Sequence, residues 1–92
     1  MSNQTVILAF LEKKAAHTPT RNIQNGYYMY KGQTLKSNGL ELINYSTRIA
    51  YHESNKLYLN IKKYSSTTSH IQSLIRRLAT QKNLEIVEYM EA

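Results

Sequence analysis

Residues 64–78 read YSSTTSHIQSLIRRL, and this stretch decides the fold of the chain. Apolar residues recur in it at the spacing of one face of an α-helix: Ile71, Leu74, Ile75 and Leu78. The residues between them are polar or basic, so the pattern predicts a helix over about residues 68–82 with one face in a core and the other in water. Five hydroxyl residues and a histidine precede the apolar stripe, and hydroxyl side chains commonly cap helix starts.

The start of this helix has two interpretations. Thr67 or Thr68 is the predicted N-cap, and Asn83 suits the left-handed position that ends a helix. The first turn lacks the acid that often complements a helix N-terminus, so its N–H groups could meet a phosphate or a carboxylate. The candidate anion-binding helix start comprises Thr67, Thr68, Ser69 and His70. We favour ordinary capping. The functional interpretation is that these residues bind a small phosphorylated ligand.

The composition describes one small basic domain over residues 1–92. Hydrophobic residues make up 41%, which is enough for a single core. Twelve Lys and Arg stand against six acids, all of them Glu, so the net charge is +6 and favours anionic partners. Because the chain has no Cys, disulfides, Fe–S clusters and thiolate zinc sites are excluded. The apolar run 6–11 is too short to span a membrane, so we expect a cytoplasmic protein without membrane partners.

The remaining periodicities predict an α+β fold. A first helix is expected from Asn3 to Ala16, capped by Ser2 or Asn3, and an exposed loop over 17–26 follows it. Short strands are expected at 27–30 and 33–36, separated by a turn at 31–32 and followed by another turn at 37–39. The predicted inward stripe of the first helix is Ile7, Leu8, Leu11 and Ala15. A last strand over Leu84–Tyr89 is expected to close one edge of the sheet.

The predicted architecture is therefore an antiparallel sheet of four to five short strands with two helices packed on one face, in the order α-β-β-β-β-α-β. One hairpin can be placed by its alternation. A three-residue loop over 53–55 would pair Tyr51 with Leu57 and Ile49 with Leu59, joining the two apolar sets. The other face would then be an exposed surface on which Tyr58 lies among cations and polar groups, as in platforms for single-stranded nucleic acid. Those neighbours are Arg48, His52, Lys56, Asn60 and Lys62.

Eight tyrosines accompany a single Phe and no Trp. Tyrosine is enriched in binding surfaces and also at the margins of sheet cores. We expect exposure for Tyr28, Tyr58 and Tyr64, and a structural role for Tyr27, Tyr30, Tyr45 and Tyr51.

Catalysis is not expected. The three histidines are far apart in the sequence, and no paired carboxylates, HExxH motif or Gly-rich phosphate loop accompanies them. No catalytic residue, metal ligand or cofactor is assigned.

Three segments between Gly39 and Leu78 resemble a group of small phage-encoded proteins of unknown function. They are a strand ending in Ile49-Ala50, a strand ending in Leu59-Asn60, and a helix entrance with the sequence Tyr-Ser-Ser-Thr-Thr-Ser-His over residues 64–70. The resemblance implies a bacteriophage or related mobile element as the origin, and the host cytoplasm as the location. It implies no activity.

Two main function classes follow. The first is a non-catalytic accessory protein that binds RNA or DNA, with Tyr58 stacking on a base and cations neutralising phosphates. Those cations are Arg48, Lys56, Lys62, Lys63, Arg76 and Arg77. The second is an inhibitor or adaptor that binds an acidic host protein such as a defence factor. Pairing of the last strand across a homodimer is a further alternative.

Overall fold

The computed structural model describes residues 2–18 and 35–91, which form an α+β arrangement of two helices and six strands. The elements are α1 (Asn3–Leu11), β1 (Ala15–His17), β2 (Leu35–Asn38), β3 (Glu41–Asn44), β4 (Thr47–Glu53), β5 (Lys56–Asn60), α2 (Ser66–Gln81) and β6 (Ile86–Tyr89). The strands form one sheet in sequence order. No helix in the described ranges is long and apolar enough to cross a membrane. The predicted strand at 27–30, the turn at 31–32, residues 33–34 and most of the 17–26 loop lie outside these ranges.

The sheet is mixed, which corrects the antiparallel prediction. Strands β1 to β5 are antiparallel neighbours, whereas β6 runs parallel to β5, with Leu57 opposite Ile86 and Asn60 opposite Tyr89. The reason is that α2 returns the chain to the end of the sheet where β5 began, as a helical crossover between parallel strands must. The predicted strand number and order are also wrong, because β1 and β3 were missed. The α+β class and the edge position of the last strand are confirmed.

Both helices end without glycine. After α1, Lys13 is left-handed with φ 61°, and the Lys14 N–H donates to Ala9 O at 2.8 Å. After α2, Asn83 has φ 58°, and the Leu84 N–H donates to Ala79 O at 3.0 Å. These bonds form Schellman motifs, in which a left-handed residue lets the last carbonyls find donors. The prediction for Asn83 is confirmed, whereas the extension of the first helix to Ala16 is wrong because the motif at Lys13 turns the chain into β1.

The core lies between the helices and one face of the sheet. The predicted stripe of α2 is buried, as are side chains of α1 and of the inner sheet face. In α1 the buried side chains are Val6, Ile7, Phe10 and Leu11, so Val6 and Phe10 were missing from the predicted stripe, while Ala15 is an exposed residue of β1. On the sheet the buried apolar residues are Leu35, Leu42, Ile49, Ala50, Leu57 and Leu59.

The predicted register of the β4–β5 hairpin is wrong. Tyr51 lies opposite Tyr58, and Glu53 lies opposite Lys56, so the turn contains only Ser54 and Asn55. Both turn residues are left-handed, with φ 53° and 63°. Positive φ at both central residues is the signature of the tight turn that matches the twist of a hairpin.

A bulge in β4 explains the error. Leu42 pairs with Ala50 and Ile43 with Arg48, so Ile49 is an extra residue between them. An extra residue shifts the alternation of every side chain after it. Ile49 and Ala50 are therefore both buried, and Tyr51 emerges on the same face of the sheet as Arg48.

Ser54→Gly tests the two-residue turn. Glycine adopts positive φ without the steric cost that Ser54 bears there, so we expect the free energy of unfolding to stay equal or rise by up to about 1 kcal/mol in urea titrations. A three-residue loop would hold position 54 in a right-handed conformation. The same substitution would then lower the stability.

Candidate functional site

The side chain of Asn60 organises one end of the sheet. It is fully buried, and its Nδ2 donates to Arg48 O at 3.1 Å and to the Tyr64 hydroxyl at 2.9 Å. Its Oδ1 accepts the backbone N–H groups of Lys62 at 3.0 Å and of Glu91 at 3.4 Å. One amide therefore joins β4, the loop after β5 and the segment after β6.

The loop 61–65 is also held from the helix side. Gln72 on α2 donates through Nε2 to Asn60 O at 2.7 Å and to Lys62 O at 2.9 Å. Because the N–H and carbonyl groups of Lys62 and the Tyr64 hydroxyl are all engaged, this loop presents its side chains from an ordered backbone.

Ser65 caps α2, so the predicted caps Thr67 and Thr68 are wrong. Its hydroxyl accepts the Thr68 N–H at 3.2 Å, which places the first helical residue at Ser66. The Thr68 hydroxyl is buried and accepts from Asn44 Nδ2 at 2.9 Å. This bond ties the start of α2 to the end of β3.

The candidate anion-binding residues at the helix start separate into two groups. Thr68 is buried, whereas Thr67, Ser69 and His70 are exposed. Successive helical residues project about 100° apart, so the three hydroxyls do not converge on one point. The first turn of α2 carries no acid, and anion binding there stays a prediction that rests on the backbone N–H groups.

Two exposed tyrosines lie at this end of the molecule. Tyr45 follows Asn44 in the tight turn between β3 and β4, has φ 58° and is 64% exposed. Its expected structural role is therefore wrong, since the turn points it away from the core. Tyr64 is 39% exposed, as expected. The sequence offers only a weak signal for this turn, since Asn44 and Ser46, residue types that favour turns, flank the tyrosine.

We define the entrance surface as six exposed or half-buried residues of the β3–β4 turn, the loop after β5 and the start of α2. They are Tyr45, Lys62, Lys63, Tyr64, Thr67 and His70. Lys62 Nζ lies 5.6 Å from the centre of the Tyr64 ring. Within the described ranges, neither Lys62 nor Lys63 takes part in an ion pair. One acid, Glu91, lies at the same end of the sheet, where its backbone N–H donates to Asn60 Oδ1.

The start of α2 adds positive potential to the entrance surface. A helix N-terminus carries about half a positive charge, and the first turn of α2 contains no acid to offset it. The C-terminus of α2 lies beside that of α1: Glu12, after α1, pairs with Lys14 at 3.3 Å and with Lys82, after α2, at 3.7 Å. The hydrogen bond and charge of Lys14 hold the pKa of Glu12 below its usual range.

The predicted platform is the sheet face opposite the helices, which we call the open face. Tyr58 lies there, but its ring stacks on Tyr51 with centroids 4.9 Å apart and planes at 4°. Arg48 lies 4.3 Å from the centre of the Tyr51 ring and pairs with Glu41 at 3.2 Å. Other predicted neighbours are absent from this face: His52 turns inward with Nε2 at 2.8 Å from Phe10 O, and Asn60 is buried.

Tyr89 completes this aromatic cluster. Its ring meets Tyr51 edge to face at 5.5 Å, and its hydroxyl is buried. Burial raises the pKa of Tyr89, and the charge of Arg48 opposes that rise. Burial alone would lower the pKa of Arg48, but its bond to Glu41 and the nearby Tyr89 leave that pKa raised.

The other predicted cations are dispersed. Lys56 pairs with Glu85 at 3.4 Å at the edge of the open face. Arg76 pairs with Glu88, and Arg77 is exposed on α2, so both lie on the helix side of the sheet. Lys62 and Lys63 therefore lie in the loop that leads into α2, whose first residues include Thr67 and His70. Arg48, Lys56 and Tyr58 lie on strands, and Arg76 and Arg77 lie in the later turns of α2.

A cleft of about 400 Å³ is lined by Asn38, Leu40, Glu41, Arg48, Tyr51 and His52. The described residues contain no group of three or more His, Cys, Asp or Glu side chains that could hold a metal ion.

Comparison of the chain with protein-family models, curated proteins and solved structures found no match.

Thr68→Val tests whether the hydroxyl run is structural at this position. The change leaves the buried Asn44 amide without its acceptor, so we expect the free energy of unfolding to fall by about 1–3 kcal/mol in urea titrations. The adjacent exposed Thr67→Val is the matched control and should change it by at most about 0.5 kcal/mol. Equal effects of the two substitutions would contradict the assignment.

Proposed function

We propose that the protein is a non-catalytic binding protein that holds single-stranded nucleic acid, RNA or DNA, at the entrance surface. The observation that carries the proposal is the combination of two exposed tyrosines with two lysines outside the ion pairs of the described residues, beside the N-terminus of α2. Aromatic rings that stack on bases, beside cations that follow the backbone, are the common features of single-strand binding sites.

The conformation of Tyr45 supports this role. A bulky residue in the left-handed region costs on the order of 1–2 kcal/mol, whereas Gly or Asn would occupy the same turn with less strain. Tyr45 nevertheless lies there with 64% of its surface exposed. A strained, exposed aromatic ring contributes little to folding, and its retention is consistent with contact to a partner.

The entrance surface suits phosphates better than the open face does. On the open face each of Arg48 and Lys56 already faces a carboxylate, and the Tyr51 ring lies between Tyr58 and Arg48. Phosphate contacts there would have to replace existing ion pairs. At the entrance surface Lys62 and Lys63 can neutralise phosphates without that exchange. The phage origin implied by the sequence resemblance fits an accessory role of this kind in the host cytoplasm.

An acidic groove on a host protein is the alternative partner for the same surface. The favourable observation is again the pair Lys62 and Lys63, since charge complementarity accelerates docking to any anionic surface. Stacking distinguishes the two partners, because bases offer flat rings to Tyr45 and Tyr64 and most acidic protein surfaces do not. A small phosphorylated ligand is less favoured, since Thr68 is buried away from Thr67 and Ser69.

Lys62→Gln combined with Lys63→Gln tests the cations. With two phosphate contacts removed, the slope of log affinity against log salt for a single-stranded oligonucleotide should fall in magnitude by about 1.4. Fluorescence anisotropy between about 50 and 200 mM salt measures the slope. Lys14→Gln with Lys82→Gln is the matched control, because it removes the same charge at the opposite end and should leave the slope unchanged. If both double variants lose affinity equally, only net charge matters and the site is elsewhere.

Tyr45→Asn tests the ring. Asparagine tolerates the left-handed turn, so the free energy of unfolding should be unchanged or raised. Loss of one stacked base should weaken oligonucleotide binding by about 1–3 kcal/mol, which corresponds to roughly 5- to 150-fold. Anisotropy and urea titration on the same samples separate these effects. Unchanged affinity would remove Tyr45 from the site and favour the protein partner.

A further inference from the structure

The open face has the residue composition of a protein interface. Strand pairing places a band of apolar and aromatic side chains across it from β3 to the edge strand β6, all of them half-buried: Ile43, Tyr51, Tyr58, Val87 and Tyr89. Charged residues surround them, including the pairs Arg48–Glu41 and Lys56–Glu85. An apolar centre with a polar rim is typical of protein interfaces, and Tyr and Arg are the residues that most often dominate their binding energy.

The charge of this face differs from that of the whole chain. Three cations occur on it, Lys36, Arg48 and Lys56, and they are balanced by Glu41, Glu53 and Glu85. The chain as a whole carries +6, so the excess lies elsewhere. Two copies that met through a basic surface would repel each other, whereas two neutral faces with both signs of charge can pair each cation with an acid of the partner.

We propose that the open face is a self-association surface on which two copies of this chain meet sheet to sheet, with the helices outward. The two proposals rest on different residues, because the open face is formed by the strands and the entrance surface by a turn, a loop and the start of α2 at one end of the sheet.

The size of the face sets the expected strength. Six strands about 4.8 Å apart, each some five residues long, present roughly 450 Å² in projection. Side-chain relief makes the accessible area larger, so two such faces would bury around 1,000 Å² in total, at the lower end of specific interfaces. A reversible dimer with a dissociation constant on the order of micromolar is the expectation.

Sedimentation equilibrium from about 1 µM to 1 mM tests the proposal, with folding checked by circular dichroism. The wild-type protein should reach twice the 10.7 kDa chain mass. Glu53→Lys with Glu85→Lys makes the open face strongly positive, so we expect at least a tenfold weaker dimer. Glu12→Lys with Glu88→Lys is the matched control, because it gives the same net charge through residues away from that face, and it should weaken dimerisation far less.

A wild-type protein that stays monomeric up to about 1 mM would overturn the proposal, as would equal weakening in the two double variants. The salt dependence of dimerisation distinguishes it from nucleic-acid binding. Because the open face is neutral overall and apolar in part, screening affects attraction and repulsion together, and the dimer dissociation constant should change by less than about threefold when salt rises from about 50 to 500 mM. Oligonucleotide binding should weaken over the same range.

Discussion

The entrance end of the molecule depends on one buried amide. Asn60 offers two donor hydrogens and a carbonyl with two lone pairs, and all four are used: by Arg48 O, the Tyr64 hydroxyl and the N–H groups of Lys62 and Glu91. A side chain at this position must donate two hydrogen bonds and accept two. An aspartate of similar size could not do so, because its carboxylate only accepts. Each bond has a modest net value, but an unsatisfied buried partner costs about 1–3 kcal/mol. Lys62 and Tyr64 consequently project from an ordered backbone.

The sequence was sufficient for features whose causes are local. The i, i+3, i+4, i+7 stripe of α2 is buried as expected, because helical periodicity alone determines which residues share a face. Asn83 ends that helix for an equally local reason. The bulge at Ile49 is different, because an extra residue in one strand is defined only against the partner strand, and β3 lies earlier in the chain. One unseen residue there displaced the whole β4–β5 register.

The candidate site likewise has features that the sequence could predict and features that it could not. Its cations and tyrosines could be identified from the sequence, but whether a cation stays available to a partner depends on long-range pairing. Arg48 meets Glu41 across a hairpin, and Arg76 meets Glu88 across the α2–β6 connection. Strand order decides such pairs, so six basic candidates looked equivalent before the sheet was known. Tyr45 escaped prediction because its exposure follows from a positive φ that a tyrosine rarely adopts.

The central claim is that the entrance surface contacts single-stranded nucleic acid, and a ¹H–¹⁵N NMR titration with a short oligonucleotide tests it most directly. We predict that the largest amide shifts cluster at Tyr45, in residues 62–67 and at His70. The amides of Ser54 and Asn55, in the turn at the opposite end of the sheet, should stay unchanged. Shifts confined to the open face around Tyr58, or no shifts at low salt, would contradict the account.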